Sequence, residues 1–274
     1  MSRLKDSAKI LIGRTSELFQ PHLAREIEKD QNPEHAAFLK RQIIFARNRK
    51  AARDRDIEEL EAAHLTYWKS AAARKYHQSY RAERNRAFLE RHGFIIDELA
   101  AILAGREQPF SRLVEMGCGD GSLLHHCSDV LDMVPAFIGL DINETAIRSA
   151  KAEYGHETAM EFHTAEVTDW LRENPQRGTI LLSNNGVLEY FSRRRFDNLL
   201  EVLRTSPPAI VVLIEPIAPD FDLATQKDST IFGNENSFSH NHRERLQNAG
   251  FEVLLEEERP ANNMRFMLMI GMAG

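Results

Sequence analysis

Leu113-Val-Glu-Met-Gly-Cys-Gly-Asp-Gly121 joins a short apolar run to three alternating glycines, and Phe137-Ile-Gly-Leu-Asp141 adds a second apolar run that ends on an acid. An apolar run of this length reads as a strand buried on both faces, and a glycine turn after it lets the chain swing directly into a helix. Gly117, Gly119 and Gly121 permit backbone angles and close approaches that a Cβ forbids, while Asp141 can accept both hydroxyls of a ribose. Strand, glycine loop, helix, strand and acid together describe a site for an adenosine-bearing cofactor. The dinucleotide fingerprint is Gly-x-Gly-x-x-Gly above a helix N-terminus that faces a pyrophosphate. Here the spacing is Gly-x-Gly-x-Gly, and Glu115 stands at the mouth of the loop. A carboxylate in that place repels a pyrophosphate and suits a cofactor that carries an ammonium and a sulfonium.

Outward from the loop, the chain after Arg112 alternates strand and helix patterns, the signature of a doubly wound parallel sheet. Strands are expected at 112–116, 136–140, 159–163, 178–183 and 208–214. The end differs, because 251–256 and 264–272 are apolar runs separated only by a short polar stretch around Asn262-Asn263. Too few residues lie between them for a parallel crossover, so they are expected to form an antiparallel hairpin. Residues 1–108 read as helix almost throughout, rich in Ala, Arg, Glu and Leu, with breaks near Gln20-Pro21, Asn32-Pro33, Gly93 and Gly105 to Pro109. Between Pro33 and His92 the pattern fits one long helix or two. The fold class is therefore α/β: a Rossmann-like doubly wound sheet, mostly parallel with an antiparallel C-terminal hairpin strand, preceded by an all-helical N-terminal extension. Domains are expected at 1–108 and 109–274.

The net charge of -6 hides an asymmetry: residues 1–110 hold 21 Lys and Arg against 16 Asp and Glu, and the remainder holds 14 against 25. A basic helical segment can hold an anionic partner, but with acids interspersed it reads more simply as a solvated helix face. Cys118 and Cys127 are the two cysteines, a number and spacing that give neither a zinc site nor a disulfide framework. No metal site is expected. Without a continuous apolar core of signal length near Arg3, Lys5 and Lys9, and without a run that could span a bilayer, the expectation is a cytoplasmic protein with no membrane contact.

Glu115-Met-Gly117-Cys-Gly119-Asp-Gly121 resembles, without a gap, the first motif of the class I S-adenosylmethionine (SAM) methyltransferases, and Asp141 resembles their ribose-binding acid. The hairpin ending resembles theirs too, so the likeness covers about 160 residues with the order of elements intact. It implies SAM as cofactor and S-adenosylhomocysteine as product. It also implies cofactor contacts from Glu115, Gly117, Gly119, Gly121, Asp141 and the adjoining Ile142. After the third strand, Glu166 takes the place of the adenine-side acid and Val167 that of a backbone donor to the ring; the alternative is that Glu166 or Asp169 simply caps a helix. Leu182-Ser-Asn-Asn-Gly-Val-Leu-Glu-Tyr190 closes the fourth strand, where Asn184 is either a ligand contact or a turn former. That stretch has neither the Pro-Pro-Tyr-type turn of amide and adenine N-methylating enzymes nor the Pro-Cys nucleophile of cytosine C5 enzymes. Its Val187-Leu-Glu-Tyr190 resembles the helix start of small-molecule methyltransferases. Upstream, Tyr76 is expected to meet the methionine carboxylate from a helix closing over the cofactor, against the alternative of ordinary packing.

Phe232-Gly-Asn-Glu-Asn-Ser-Phe-Ser-His-Asn-His242 falls where the family's substrate pocket is overhung. His240 and His242 are candidates for a general base, since an imidazole suits removal of a proton near neutral pH; alternatively, Ser239 or Asn241 caps the next helix and the histidines are solvated. Glu215, at the end of the fifth strand, is a candidate to orient a histidine or bind a substrate hydroxyl. The expected reaction is transfer of a methyl group to an oxygen or nitrogen of a small molecule, such as a sugar or a secondary-metabolite intermediate. The N-terminal helices would serve as lid, substrate wall or pairing surface in a homodimer. Two other readings stand beside it: an RNA or protein methyltransferase that uses the basic helical region, which lacks a recognised nucleic-acid module, and a non-catalytic SAM-binding assembly partner.

Overall fold

A computed structural model describes residues 2–28, 37–69, 90–106, 109–233, 235–261 and 264–274. The chain forms two compact units, Met1–Gln78 with Ile231–Ser237, and Ser79–Thr230 with Phe238–Gly274. The first unit holds helices α1 (Ser2–Phe19), α2 (Pro21–Glu28), α3 (Ala37–Asp54) and α4 (Ile57–Lys69). Leu23, Ile27 and Ile43 form its small apolar centre. Helices α1 and α3 meet at Gly13, where an added Cβ would lie 2.1 Å from the Gln42 carbonyl oxygen. Between Pro33 and His92, where one helix or two fitted the sequence, α3 and α4 are separate. The break falls at Arg55, in the left-handed region with φ 55°, and Asp56 then accepts from the Glu59 N–H (3.0 Å). Asp56-Ile-Glu-Glu59 carries the spacing of a capping box, the local signal for that restart.

In the second unit α5 (Phe94–Ala104) precedes β1 (Arg112–Met116), α6 (Ser122–Val130), β2 (Phe137–Asp141), α7 (Glu144–Tyr154), β3 (Met160–Thr164) and α8 (Val167–Glu173). There follow β4 (Thr179–Asn184), a single 3-10 turn at Leu188–Tyr190, α9 (Arg193–Arg204), β5 (Ala209–Ile217), the short pair β6 (Thr230–Phe232) and β7 (Ser237–Ser239), whose residues from Ile231 to Ser237 belong to the first unit, and then α10 (His242–Asn248), β8 (Glu252–Ala261) and β9 (Met264–Ala273). The seven-stranded sheet runs β3-β2-β1-β4-β5-β9-β8. Strands β1 to β5 pair in parallel, and β9 pairs antiparallel to both β5 and β8. The expected mixed sheet and its terminal hairpin are therefore present.

Alternation along the strands explains why both faces are covered. Leu113, Ile180, Leu182, Val212 and Ile270 face α5, α6 and α7, whose Leu99, Leu124 and Ile147 join the same core. Val114, Met116, Leu181, Val211 and Met269 point the other way, onto Leu171 of α8, Phe196 and Leu200 of α9 and Leu246 of α10. Each fully buried Leu, Ile or Val of this kind contributes about 1.5–3 kcal/mol. The order reverses between β1 and β4, and the crevice at such a reversal, outside the carboxyl ends of the strands, is where open α/β sheets hold ligands. At the far edge, β8 carries Glu256, Glu257, Glu258 and Pro260.

Candidate functional site

The crevice begins with the loop after β1. Gly117 and Gly121 have φ of +66° and +81°, angles that a side chain rarely adopts. A Cβ on Gly117 would also come within 2.6 Å of the Val187 side chain, and one on Gly121 within 2.7 Å of the Phe162 ring. Gly119 shares the left-handed conformation, with φ +55°. The Gly119 N–H donates to Asp141 Oδ2 (3.0 Å), and the Asn143 N–H donates to Asp141 Oδ1 (2.8 Å). The acid that ends β2 thus ties the loop to the start of α7, which Asn143 caps through the Thr145 and Ala146 N–H groups. Ile142 is half-buried directly after it.

Glu115 is buried, and its Oε2 has no hydrogen-bond partner. Burial, with Asp120 and Asp141 adding repulsion, pushes its carboxyl well above the usual range. Such a cluster carries excess negative potential, and a cation is the ligand that relieves it. Asn184 closes β4, one residue beyond the pairing of Ser183 with Met116. Its Oδ1 is likewise buried without a partner. Two orphaned acceptors therefore sit on the paired strands β1 and β4, where the strand order reverses.

On the β3 side, Glu166 caps α8. Its Oε2 accepts from the Asp169 N–H (3.0 Å), and its Oε1 accepts from Thr168 Oγ1 (3.3 Å) and from Arg195 Nη2 (2.7 Å). Val167, the first residue of α8, is buried. Of the two expectations for Glu166, the helix cap is the one seen here.

The three catalytic candidates are all buried inside the fold. Glu215 on β5 accepts from Ser183 Oγ (2.5 Å), the Val187 N–H (3.3 Å) and the Leu188 N–H (3.1 Å), and burial pushes its carboxyl up to about 8. His240 places Nε2 3.1 Å from the Leu188 carbonyl and Nδ1 2.6 Å from Ser229 Oγ. A carbonyl can only accept, so Nε2 carries the proton and Nδ1 accepts from the Ser229 hydroxyl. Burial holds this imidazole down to about 4 and that of His242 to about 3, with the neighbouring His240 adding to the second. Neither ring nitrogen of His242 has a partner. The helix that His242 opens is capped by Asn241, which accepts from the Glu244 N–H; Ser239 instead accepts from the Ala218 N–H (2.7 Å). The histidines are therefore not the solvated pair of the alternative reading. Tyr76 lies outside the described residues.

Arg195, Ser183 and Ser229 escaped sequence reasoning. Each meets its partner across 11 to 32 residues of chain, and none belongs to a spaced motif. Among the described residues no group of three or more His, Cys, Asp and Glu is placed to hold a metal ion. No helix there is long and apolar enough to cross a membrane.

Residues 113–206 match a family model described as a methyltransferase domain. None of the curated proteins compared matches the chain. Among solved structures, the magnesium protoporphyrin IX methyltransferase of Synechocystis with bound SAM aligns at a TM-score of 0.54 and 15% identity, over 78% of this chain and 97% of that one. A SAM-dependent methyltransferase of Leishmania major aligns at 0.54 and 12%, over 77% and 82%. A protein of Galdieria sulphuraria, assigned as a sarcosine dimethylglycine methyltransferase, aligns at 0.51 and 10%, over 69% and 87%. These likenesses show the fold. The residues present also fit the cofactor that the family model implies: Glu115 Oε2 and Asn184 Oδ1 are acceptors of the kind an ammonium would satisfy, and the cradle at Gly117 has no room for a Cβ.

Proposed function

We propose that this class I SAM-dependent methyltransferase transfers the methyl group to an oxygen or nitrogen of a small molecule. When bound, the cofactor supplies a methyl group on a cationic sulfur, so the protein needs to contribute alignment and exclusion of water more than acid–base chemistry. Glu115 and Asn184 hold the amino-acid end, Asp141 orients the ribose, and Val187 over Gly117 shapes the wall between them. Glu215 and His240 grip the turn at Leu188 from its N–H and its carbonyl, which supports a positioning role for both. With Nδ1 already accepting from Ser229, His240 takes up a substrate proton only by releasing that hydroxyl.

The observation that carries the acceptor class is charge. The residues after 110 hold 14 basic against 25 acidic side chains, and a polyanion such as RNA is repelled by such a domain. Two proteins with this fold are named for a porphyrin and for sarcosine and dimethylglycine. Residues 1–108 would serve as lid, substrate wall or pairing surface for a second copy. The exposed Leu11, Leu18 and Phe19 of α1 support the last of these. Cys118 and Cys127, both free and buried, suit a reducing, cytoplasmic setting.

Incubation with methyl-labelled SAM and a cell extract separated into small-molecule, RNA and protein fractions tests the reading. Label is expected in the small-molecule fraction. Label in RNA or protein reassigns the acceptor, and SAM binding without label in any fraction overturns catalysis.

A further inference from the structure

Asp141 ends β2 beside Thr164 of β3. The turn that follows Thr164, Ala165-Glu166-Val167, therefore lies one strand further from the glycine loop than the ribose acid does. A base attached to a ribose held by Asp141 would extend toward this turn. Glu166 is the polar side chain there, and it is clamped. A carboxylate offers about four acceptor positions; Arg195, Thr168 and the Asp169 N–H take one each, which leaves one.

The clamp is itself rigid. The Arg195 guanidinium lies 3.8 Å from the centroid of the Phe191 ring, its side chain is 16% exposed, and its N–H is capped by Ser192 Oγ (3.3 Å). Phe191 in turn donates its N–H to the Leu188 carbonyl (2.9 Å). Arg195 thus connects the end of the crevice beside β3 with the turn that Glu215 and His240 grip. An unclamped glutamate would sweep several rotamers and present its last acceptor only part of the time.

Resting on the SAM assignment above, we infer that Arg195 is a positioning residue for base recognition: it fixes Glu166 so that one carboxylate acceptor is presented to the exocyclic amine of adenine. The planar fork of arginine, stacked on Phe191, cannot be reproduced by lysine, which supplies the charge without the geometry.

Calorimetric binding of S-adenosylhomocysteine and of S-inosylhomocysteine, which carries an oxygen in place of the amine, tests this. The wild-type protein is expected to prefer the adenosyl ligand by about tenfold or more, the worth of a charge-assisted contact. Arg195→Ala is expected to reduce that preference to under about threefold, mainly by weakening the adenosyl ligand, with Arg195→Lys falling between and Glu166→Gln matching the alanine variant. Arg172→Ala removes a neighbouring ion pair to Asp169 (2.8 Å) on the same helix and should keep the full preference. Equal weakening of both ligands by Arg195→Ala, or a preserved preference, overturns the inference. Wild-type protein that binds neither ligand overturns the SAM assignment itself, a failure distinct from the loss of preference.

Discussion

Two groups of buried polar side chains flank β4, and they are built in opposite ways. On the β1 side, Glu115 and Asn184 each keep an acceptor without a partner, and the acids Asp120 and Asp141 add repulsion. On the β5 side, Glu215 takes three hydrogen bonds and His240 has both nitrogens engaged. Glu115, Glu215 and His240 are all buried, yet one group is incomplete and the other closed. An unsatisfied buried acceptor costs stability unless something else supplies the donor. The β1 side thus has open acceptors that a ligand's donor would complete, as the proposal requires, and the β5 side holds a turn. His242, with two unpartnered nitrogens, is the exception on the closed side.

The closed side is broken most severely at Glu215. Glu215→Ala leaves Ser183 and two N–H groups without their acceptor and is expected to cost on the order of 3 kcal/mol or more, read as a shift in the midpoint of urea unfolding at unchanged slope. A loss below about 1 kcal/mol would erase the distinction between the two sides. Next come the histidines. Their folded values, about 4 and about 3, lie below the ordinary 6.5. The unfolded chain therefore binds more protons than the folded one between those limits, and stability falls as pH drops below 6.5. From pH 7 to pH 5 each imidazole accounts for about 2 kcal/mol. His242→Phe should flatten that fall by about one imidazole's share in unfolding curves measured at pH 7 and pH 5; an unchanged fall would show that His242 takes its proton inside the fold.

On the incomplete side, Asp141→Ala is expected to weaken S-adenosylhomocysteine by more than tenfold, about 1.4 kcal/mol or above, and calorimetry showing unchanged affinity would remove Asp141 from the site. The smallest effect is the most specific. Burial raises the Glu115 carboxyl, and a bound ammonium favours its ionised form, so binding releases a proton and affinity rises with pH. Calorimetry in two buffers of different ionisation enthalpy should detect that release in the wild type and find none in Glu115→Gln.

The glycine-loop part of the incomplete side was legible in the sequence because its pieces are local. Glu115, the glycines and Asp141 fall on consecutive strand–turn units, and each glycine answers to a backbone need that no other residue meets. The sheet was legible for a similar reason: apolar runs at even spacing announce strands, and the short gap at Asn262-Asn263 forces a hairpin. The closed side was not. Ser183 and Glu215, 32 residues apart, become partners only because β4 and β5 lie in parallel register, and the strand patterns do not predict which polar side chain will face which. The clamp from Arg195 to Glu166 hides behind the same barrier. The pair β6 and β7, three residues each, is too short to show a period. In the helical unit, by contrast, the restart at Asp56 had its signal in Glu59, so a capping box divides α3 from α4 where apolar spacing alone did not.

The strand at the far edge of the sheet bears on how the protein behaves in a crowd. A ten-residue edge offers a row of open N–H and C=O groups on which a strand from another chain could grow. Along β8, Pro260 has no N–H to give, and Glu256, Glu257 and Glu258 are paired with Arg243, Arg259 and Arg265. A foreign strand would have to break those ion pairs and bury their charges to dock. The edge that completes the fold thus also guards it against aggregation at high concentration.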